Sequence, residues 1–231
     1  MAKVKAQISF DEPFDEAVEA FLGKEIMSRP EFDALAKEMR GDAFTAAYVY
    51  AADDLQEVYD AVLAALENKS TLADFTAQVG DILTRDWHRE TVFRTNMLSA
   101  YGKGHWDQAQ VTKEMRPYAR YTAVMDGRTR PTHAELHGMV YPLDHPFWQE
   151  YWPPWDYNCR CAAVTLSPEE VQQEGLEVRS GWEGVPPPNP AFSSPAAGEQ
   201  FSPNYEKYPP HLAQAVKRKA TELHDGAGSQ Q

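Results

Sequence analysis

The chain has no run of about 18 apolar residues, the length needed to cross a bilayer, so no segment reads as a membrane span. It has two cysteines, Cys159 and Cys161, one residue apart. Two are too few for a disulfide framework, and a ring closed across Cys-x-Cys is strained. In a reducing compartment such a pair binds metal or stays as thiols. Positive charge is also scarce. The net charge of −13 argues against broad, non-specific DNA binding. The start, MAKVKAQISFDEPFDEA, lacks the apolar h-region of a secretory signal, so the protein is expected to stay inside the cell that makes it until an assembly carries it out. No internal repeat is present.

What is there suits one domain or two small ones in 231 residues, with a normal globular share of apolar side chains. The charge is uneven. Residues 1–90 carry 19 acids and 9 bases, residues 91–166 carry 7 and 8, and residues 167–231 carry 9 and 5. The middle third is thus the one near neutrality. There Arg116, Arg120, Arg128, Arg130 and Arg160 serve either local ion pairs or a local basic contact.

The N-terminal half reads as helices. Phe10, Phe14, Val18, Phe21 and Leu22 form an amphipathic stripe after Pro13. Pro30 opens a second helix with Phe32, Leu35, Ala36 and Met39 on one face and Gly41 past its end. The clearest helix is 53–67, where Leu55, Val58, Tyr59, Val62, Leu63 and Leu66 recur at helical spacing. Thr71 and Asp74 resemble a capping box ahead of Leu72, Phe75, Val79, Ile82 and Leu83. A longer helix runs from Asp86 to Met115, weakened by Gly102 and Gly104.

At Pro117 the pattern changes. YARYTAVMD (118–126) reads as a strand, RPTHAELHG (130–138) as a short helix with Pro131 at its start and Gly138 past its end, MVYPLD (139–144) as a second strand, and CRCAAVTLS (159–167) as a last strand. The seven aromatics of 141–157 read as a mini-core beneath a small sheet. Residues 168–210 hold nine of the seventeen prolines with few aliphatics, which favours extended or disordered chain, and a last helix is expected over His211–His224. The fold class is therefore α+β, with a helical bundle or arm (1–110), a small β-containing module with a short helix (111–167) and a Pro-rich tail (168–231).

The chemistry concentrates in the module. His133 and His137 are four apart, on one helix face. Cys159 and Cys161 are two apart, on one strand face, with Arg160 opposite. If helix packs on strand, four ligands of the types zinc prefers converge. A smaller set completed by Asp126 or His145 is a second arrangement, and buried apolar thiols beside hydrogen-bonded imidazoles a third. Glu135 points away from the histidine face, and His-Ala-Glu-Leu-His is not the His-Glu-x-x-His order of zinc proteases, so catalysis is not expected. Asp126-Gly127 reads as a tight turn, with Asp126 bonding to Arg128 or the following helix.

These residues resemble a known family, the phage Mu F-like domain of minor head (head morphogenesis) proteins. The likeness rests on Asp126, Arg128, Thr129, Arg130, His133, Gly138, Phe147, Trp148, Pro153, Pro154, Asn158, Cys159, Arg160 and Cys161, in order over about fifty residues. AFTAAYV (43–49) and ETVFRTNMLSAY (90–101) resemble the family's helical part, so the likeness spans roughly 10–170. It implies a virion or procapsid component near the portal vertex, made in the host cytoplasm. It further implies portal, capsid or scaffold partners, packaged DNA as a further partner, no membrane and no established enzymatic activity. Some relatives carry a Cys-x-x-Cys or Cys-x-x-His pair where this chain has Arg130 and His133. That variation fits a metal or knot role for this region; Arg130 removes one such ligand here, so a four-ligand zinc site requires His137 to substitute. Two other classes stay open at this point: a small metal-dependent hydrolase or nuclease built on His133, His137, Cys159 and Cys161, and a DNA-binding accessory using the middle arginines.

Overall fold

A computed structural model describes residues 14–35 and 37–196. Phe10, Ala36 and the helix expected over His211–His224 lie outside the described residues, as does the Met39 side chain. The expected α+β order is present, and two hydrophobic cores share one long helix.

The first core is helical. Helix α1 (Asp15–Leu22) leads into β1 (Glu25–Ile26), α2 (Arg29–Ala34), a 3₁₀ turn (Lys37–Asp42) and β2 (Ala43–Phe44), which pairs in parallel with β1. Pro30 sits in the first turn of α2, where a missing N–H costs nothing, and Glu31 closes a capping box onto Ser28. The helix then stops at Leu35, which is extended, instead of running on to Gly41. Helix α3 (Ala52–Asn68) ends on Lys69 in the left-handed region. Thr71 caps α4 (Leu72–Val79), accepting from the Asp74 N–H. Phe21, Phe44, Val58, Val62, Phe75, Leu83 and Val92 pack together beneath these elements.

Helix α5 (Asp86–Val111) is the shared spine. Val92 and Ala100 belong to the first core, Trp106 and Ala109 to the second. Its two glycines are contact points. A Cβ at Gly104 would come within 2.9 Å of the Phe14 ring of α1, and one at Gly102 within 2.3 Å of the Pro153 carbonyl oxygen. The glycines weaken the helix locally but let two other segments approach its backbone.

The second core lies under a three-stranded antiparallel sheet, β3 (Tyr118–Thr122) between β4 (Val140–Pro142) and β5 (Ala162–Leu166). Between strands sit two one-turn helices, α6 (Pro131–Glu135) and α7 (Phe147–Tyr151). Tyr141, Phe147, Trp148, Tyr151, Trp152 and Trp155 fill the core. Indole N–H groups are anchored: Trp148 donates to the Pro142 carbonyl (3.1 Å) and Trp152 to the Gly102 carbonyl (2.8 Å). The second bond ties the module to the spine.

The stretch 168–196 departs from the extended or disordered reading. Ser167 caps α8 (Pro168–Glu174), and Arg116 and Arg120 pair with Glu170 and Glu174, each at 2.6 Å. Phe192, Ser194 and Ala196 are buried, and Ser194 donates to the Trp152 carbonyl (2.8 Å). Here prolines shape a strap that lies on the aromatic core rather than loosening the chain.

Candidate metal centre

Tyr121, in the central strand, is fully buried between Ala119 and Ala123 on the inward side. Its backbone bonds to Met139 and Gly138, and Gly138 turns there at φ +84°, a conformation that favours glycine. That turn carries the chain from α6 back into β4, so α6 sits over the end of the sheet with His133 facing inward. His133 is buried, with the Trp155 ring stacked on it at 4.1 Å.

Three ligand atoms meet at this point. His133 Nδ1 lies 3.5 Å from Cys159 Sγ and 3.5 Å from Cys161 Sγ, and the set falls within 4.8 Å. A tetrahedral ion with bonds of about 2.3 Å to sulfur and 2.05 Å to nitrogen puts those atoms about 3.6 Å apart. The two nitrogen–sulfur distances therefore match those of a metal-bound set, and the group could hold a metal ion. The same spacing suits thiol–imidazole hydrogen bonds. Tyr121 Oη is also 3.5 Å from His133 Nδ1 and accepts from Trp155 Nε1 (2.6 Å).

The thiols differ in environment. Cys161 is pushed below the ordinary thiol range by the hydrogen bond from Cys159, and further by bonds from His133 and Tyr121. Cys159 moves up, because ionising it beside Cys161 and in a buried place is unfavourable. A divalent cation would favour ionisation of both thiols.

His137 is not in the group. Helix α6 ends at Glu135, so the i, i+4 spacing no longer places both imidazoles on one helical face. His137 is exposed and its Nδ1 accepts the Ala123 N–H (3.1 Å). Neither Asp126 nor His145 completes the set. Asp126 is paired with Arg160, and His145 stacks on Tyr141 and accepts the Phe147 N–H. The cysteines also precede β5 and are not within a strand.

The surrounding motif holds the two halves of the centre together. Asp126 takes both Arg160 guanidinium nitrogens (2.8 and 2.7 Å), the Arg128 N–H (2.9 Å) and the Thr129 hydroxyl (3.2 Å). The Arg160 hydrogen bonds above all, then that of the Arg128 N–H, hold the Asp126 carboxyl well below the usual carboxylate range. Arg160 stands between the two cysteines, so this bidentate pair joins the 126–130 turn to the thiol segment. Arg130 donates to the Tyr157 carbonyl (2.6 Å) and lies 3.5 Å from Asp156, which is 4.0 Å from His133 Nε2. Asn158 adopts φ +54°, which asparagine tolerates better than most residues. Pro153 and Pro154 present the Pro153 carbonyl to Gly102, and Trp148 anchors to β4.

The middle arginines are committed within the fold. Arg116, Arg120, Arg128, Arg130 and Arg160 each lie within ion-pair distance of a carboxylate. Sequence reasoning missed Tyr121, Trp155 and Asp156 at the centre. Strand alternation around Tyr121 was a usable signal, whereas Trp155 was hidden among other aromatics.

Residues 56–164 match the family model described as Phage Mu protein F like protein. A protein of Escherichia phage Mu named for capsid assembly, protein F, is 46% identical over 91 residues, 39% of this chain and 21% of that protein. The Mu-like prophage FluMu F protein of Haemophilus influenzae is 43% identical over 90 residues, 39% of this chain and 22% of that protein. The match therefore covers about a fifth of each relative's length. No solved structure matches the chain. The stretch 56–164, which contains the spine helix and the whole His/Cys centre, is thus the part of the chain that is similar to the Phage Mu protein F like family.

Proposed function

We propose that the protein is a structural component of a phage or prophage head, acting in head morphogenesis, and that the His133–Cys159–Cys161 centre is a structural zinc site that locks the module. The observation that carries the reading is the coincidence of the family stretch with a clasped, buried centre. His133 and Cys159 are about 2% exposed and Trp155 covers the imidazole. Structural zinc sites are closed, whereas catalytic ones keep an open position for substrate or water. The buried Tyr121 hydroxyl adjoins the group and helps to close it. In this chain His133, Cys159 and Cys161 would hold the ion, and the ion would supply folding energy and thiolate neutralisation.

In this reading residues 1–110 form the docking region and 111–167 the locked module. Partners are the portal, capsid or scaffold proteins, with packaged DNA as a further contact, and the place of action is the procapsid in the host cytoplasm and then the virion, at the portal vertex. The acid excess of residues 1–90 supports protein partners over DNA. Co-sedimentation of the full chain with procapsids, with and without portal protein, tests this. Association that depends on portal protein is the expected result, and absence of the chain from both particles would overturn the reading.

A further inference from the structure

A second opening lies apart from the ligand atoms of the His/Cys centre. It is a cleft of about 340 Å³ between α5, the 3₁₀ turn and the strap residues around Phe192. Its lining has an unusual charge. Although aspartate and glutamate outnumber lysine and arginine 35 to 22 in the chain, the lining holds Lys24, Arg29, Arg40 and Lys103 and, among the described residues, no carboxylate. Arg29 and Lys103 are paired with Asp33 and Asp107, which are not part of the lining.

Unsatisfied polar atoms concentrate at the same place. Arg40 Nε, Thr45 Oγ1, His88 Nε2, Thr95 Oγ1 and Ser193 Oγ are all buried and have no hydrogen-bond partner among the described residues. Each belongs to a residue lining this cleft. His88 is 6% exposed. Arg40 gives one terminal nitrogen to the Asp33 carbonyl (3.2 Å) and lies over the Phe32 ring, leaving Nε unused. Buried polar groups are nearly always bonded, so several unpaired ones just beneath one cavity wall mark a wall that a small side-chain rearrangement would open to a polar occupant. At the rim, Tyr48 and Trp87 are 65% and 53% exposed, and Tyr48 is held at φ +64°. Tryptophan, tyrosine and arginine are the side chains that most often carry the binding energy of protein interfaces.

We propose that this cleft binds an extended acidic peptide segment of a partner protein, with a carboxylate side chain on Arg40 and an adjoining aromatic or aliphatic side chain against Tyr48 and Trp87. A nucleic-acid strand fits less well. It carries charge along its whole length, and residues 1–90 around the cleft have ten more acids than bases. A short peptide needs only the local positive lining. If the head-assembly reading holds, the segment belongs to another head protein, but the chemistry of the cleft does not depend on that reading.

The test is selection of a short random-peptide library on the full chain, followed by binding of the selected synthetic peptides measured through the change in tryptophan fluorescence. The expected sequences carry Asp or Glu beside an aromatic or aliphatic residue. Their affinity should fall about tenfold in Arg40→Gln, the loss of one charge-assisted hydrogen bond. Thr95→Val should weaken binding a few-fold. Because the Thr95 hydroxyl has no partner among the described residues, that variant keeps the test usable if Arg40→Gln does not fold. Selection of neutral or basic peptides, selection of none, unchanged affinity in the folded variants, or equal binding of a single-stranded oligothymidine at the same site would each overturn the proposal. None of these results bears on co-sedimentation with procapsids, so the two readings fail separately.

Discussion

Gly102→Ala sets two physical effects against each other. Replacing a mid-helix glycine by alanine favours the helix by about 0.8–1 kcal/mol. On an isolated α5 the variant would be more stable. In this fold the added Cβ would lie 2.3 Å from the Pro153 carbonyl oxygen, 2.7 Å from Pro154 Cδ and 3.1 Å from Pro195 Cγ. The first is backbone and the others are ring atoms, so none can rotate away. Overpacking a tight site costs about 1–3 kcal/mol. The shift needed to relieve it also strains the buried bond from Trp152 Nε1 to the Gly102 carbonyl, a bond worth about 0.5–1.5 kcal/mol. The clash and the strained bond outweigh the helix gain, and the net loss is about 1–3 kcal/mol. At about 2–4 °C per kcal/mol for a chain of this size, the melting temperature falls by several degrees. Gly127→Ala is the control, since a Cβ there meets nothing within 4 Å. Thermal unfolding followed by circular dichroism reads both. A Gly102→Ala melting temperature equal to or above wild type would refute the contact argument and return α5 to an ordinary helix.

Other expectations follow from the same contacts. Trp152→Phe keeps most of the packing but removes the indole N–H bond to the Gly102 carbonyl, which keeps its helical partner, so chemical denaturation should show a loss of about 0.5–1.5 kcal/mol. Ser167→Ala removes the cap of α8 and should cost about 1 kcal/mol. Asp126→Asn addresses pH. The Asp126 carboxyl is depressed in the fold, so its contribution is present above the ordinary Asp value of about 4 and is lost as pH falls through the folded value. The wild-type minus variant difference in melting temperature should therefore be positive and constant at neutral pH and should shrink in acid. A difference that grows toward low pH would contradict the pairing with Arg160.

Much of the helical half was readable because its signals are local. Leu55, Val58, Val62 and Leu66 mark α3 by spacing alone, and Thr71 with Asp74 marks the start of α4. The roles of Gly102 and Gly104 were not readable. A glycine in a helix looks like a weakness until the segment pressed against it is known. The centre was half legible. Paired sulfurs and an inward His133 follow from short-range pattern, but the end of α6 at Glu135, which removes His137, depends on the turn through Gly138 into β4. Tyr121 enters from a strand many residues away, a tertiary fact that no spacing announces. The strap over 176–196 misled for a related reason. Proline content lowers the tendency to form helix and strand, but it does not prevent Phe192 and Ala196 from being buried against existing surfaces.

The most direct measurement is the metal content of the purified full chain by elemental analysis, paired with its melting temperature before and after a strong chelator. A structural centre predicts about one zinc per chain, loss of the metal in Cys159→Ser and His133→Ala, retention in His137→Ala, and a lower melting temperature after chelation. A metal-free chain whose melting temperature ignores the chelator would contradict the claim and leave His133, Cys159, Cys161 and Tyr121 as a hydrogen-bonded cluster.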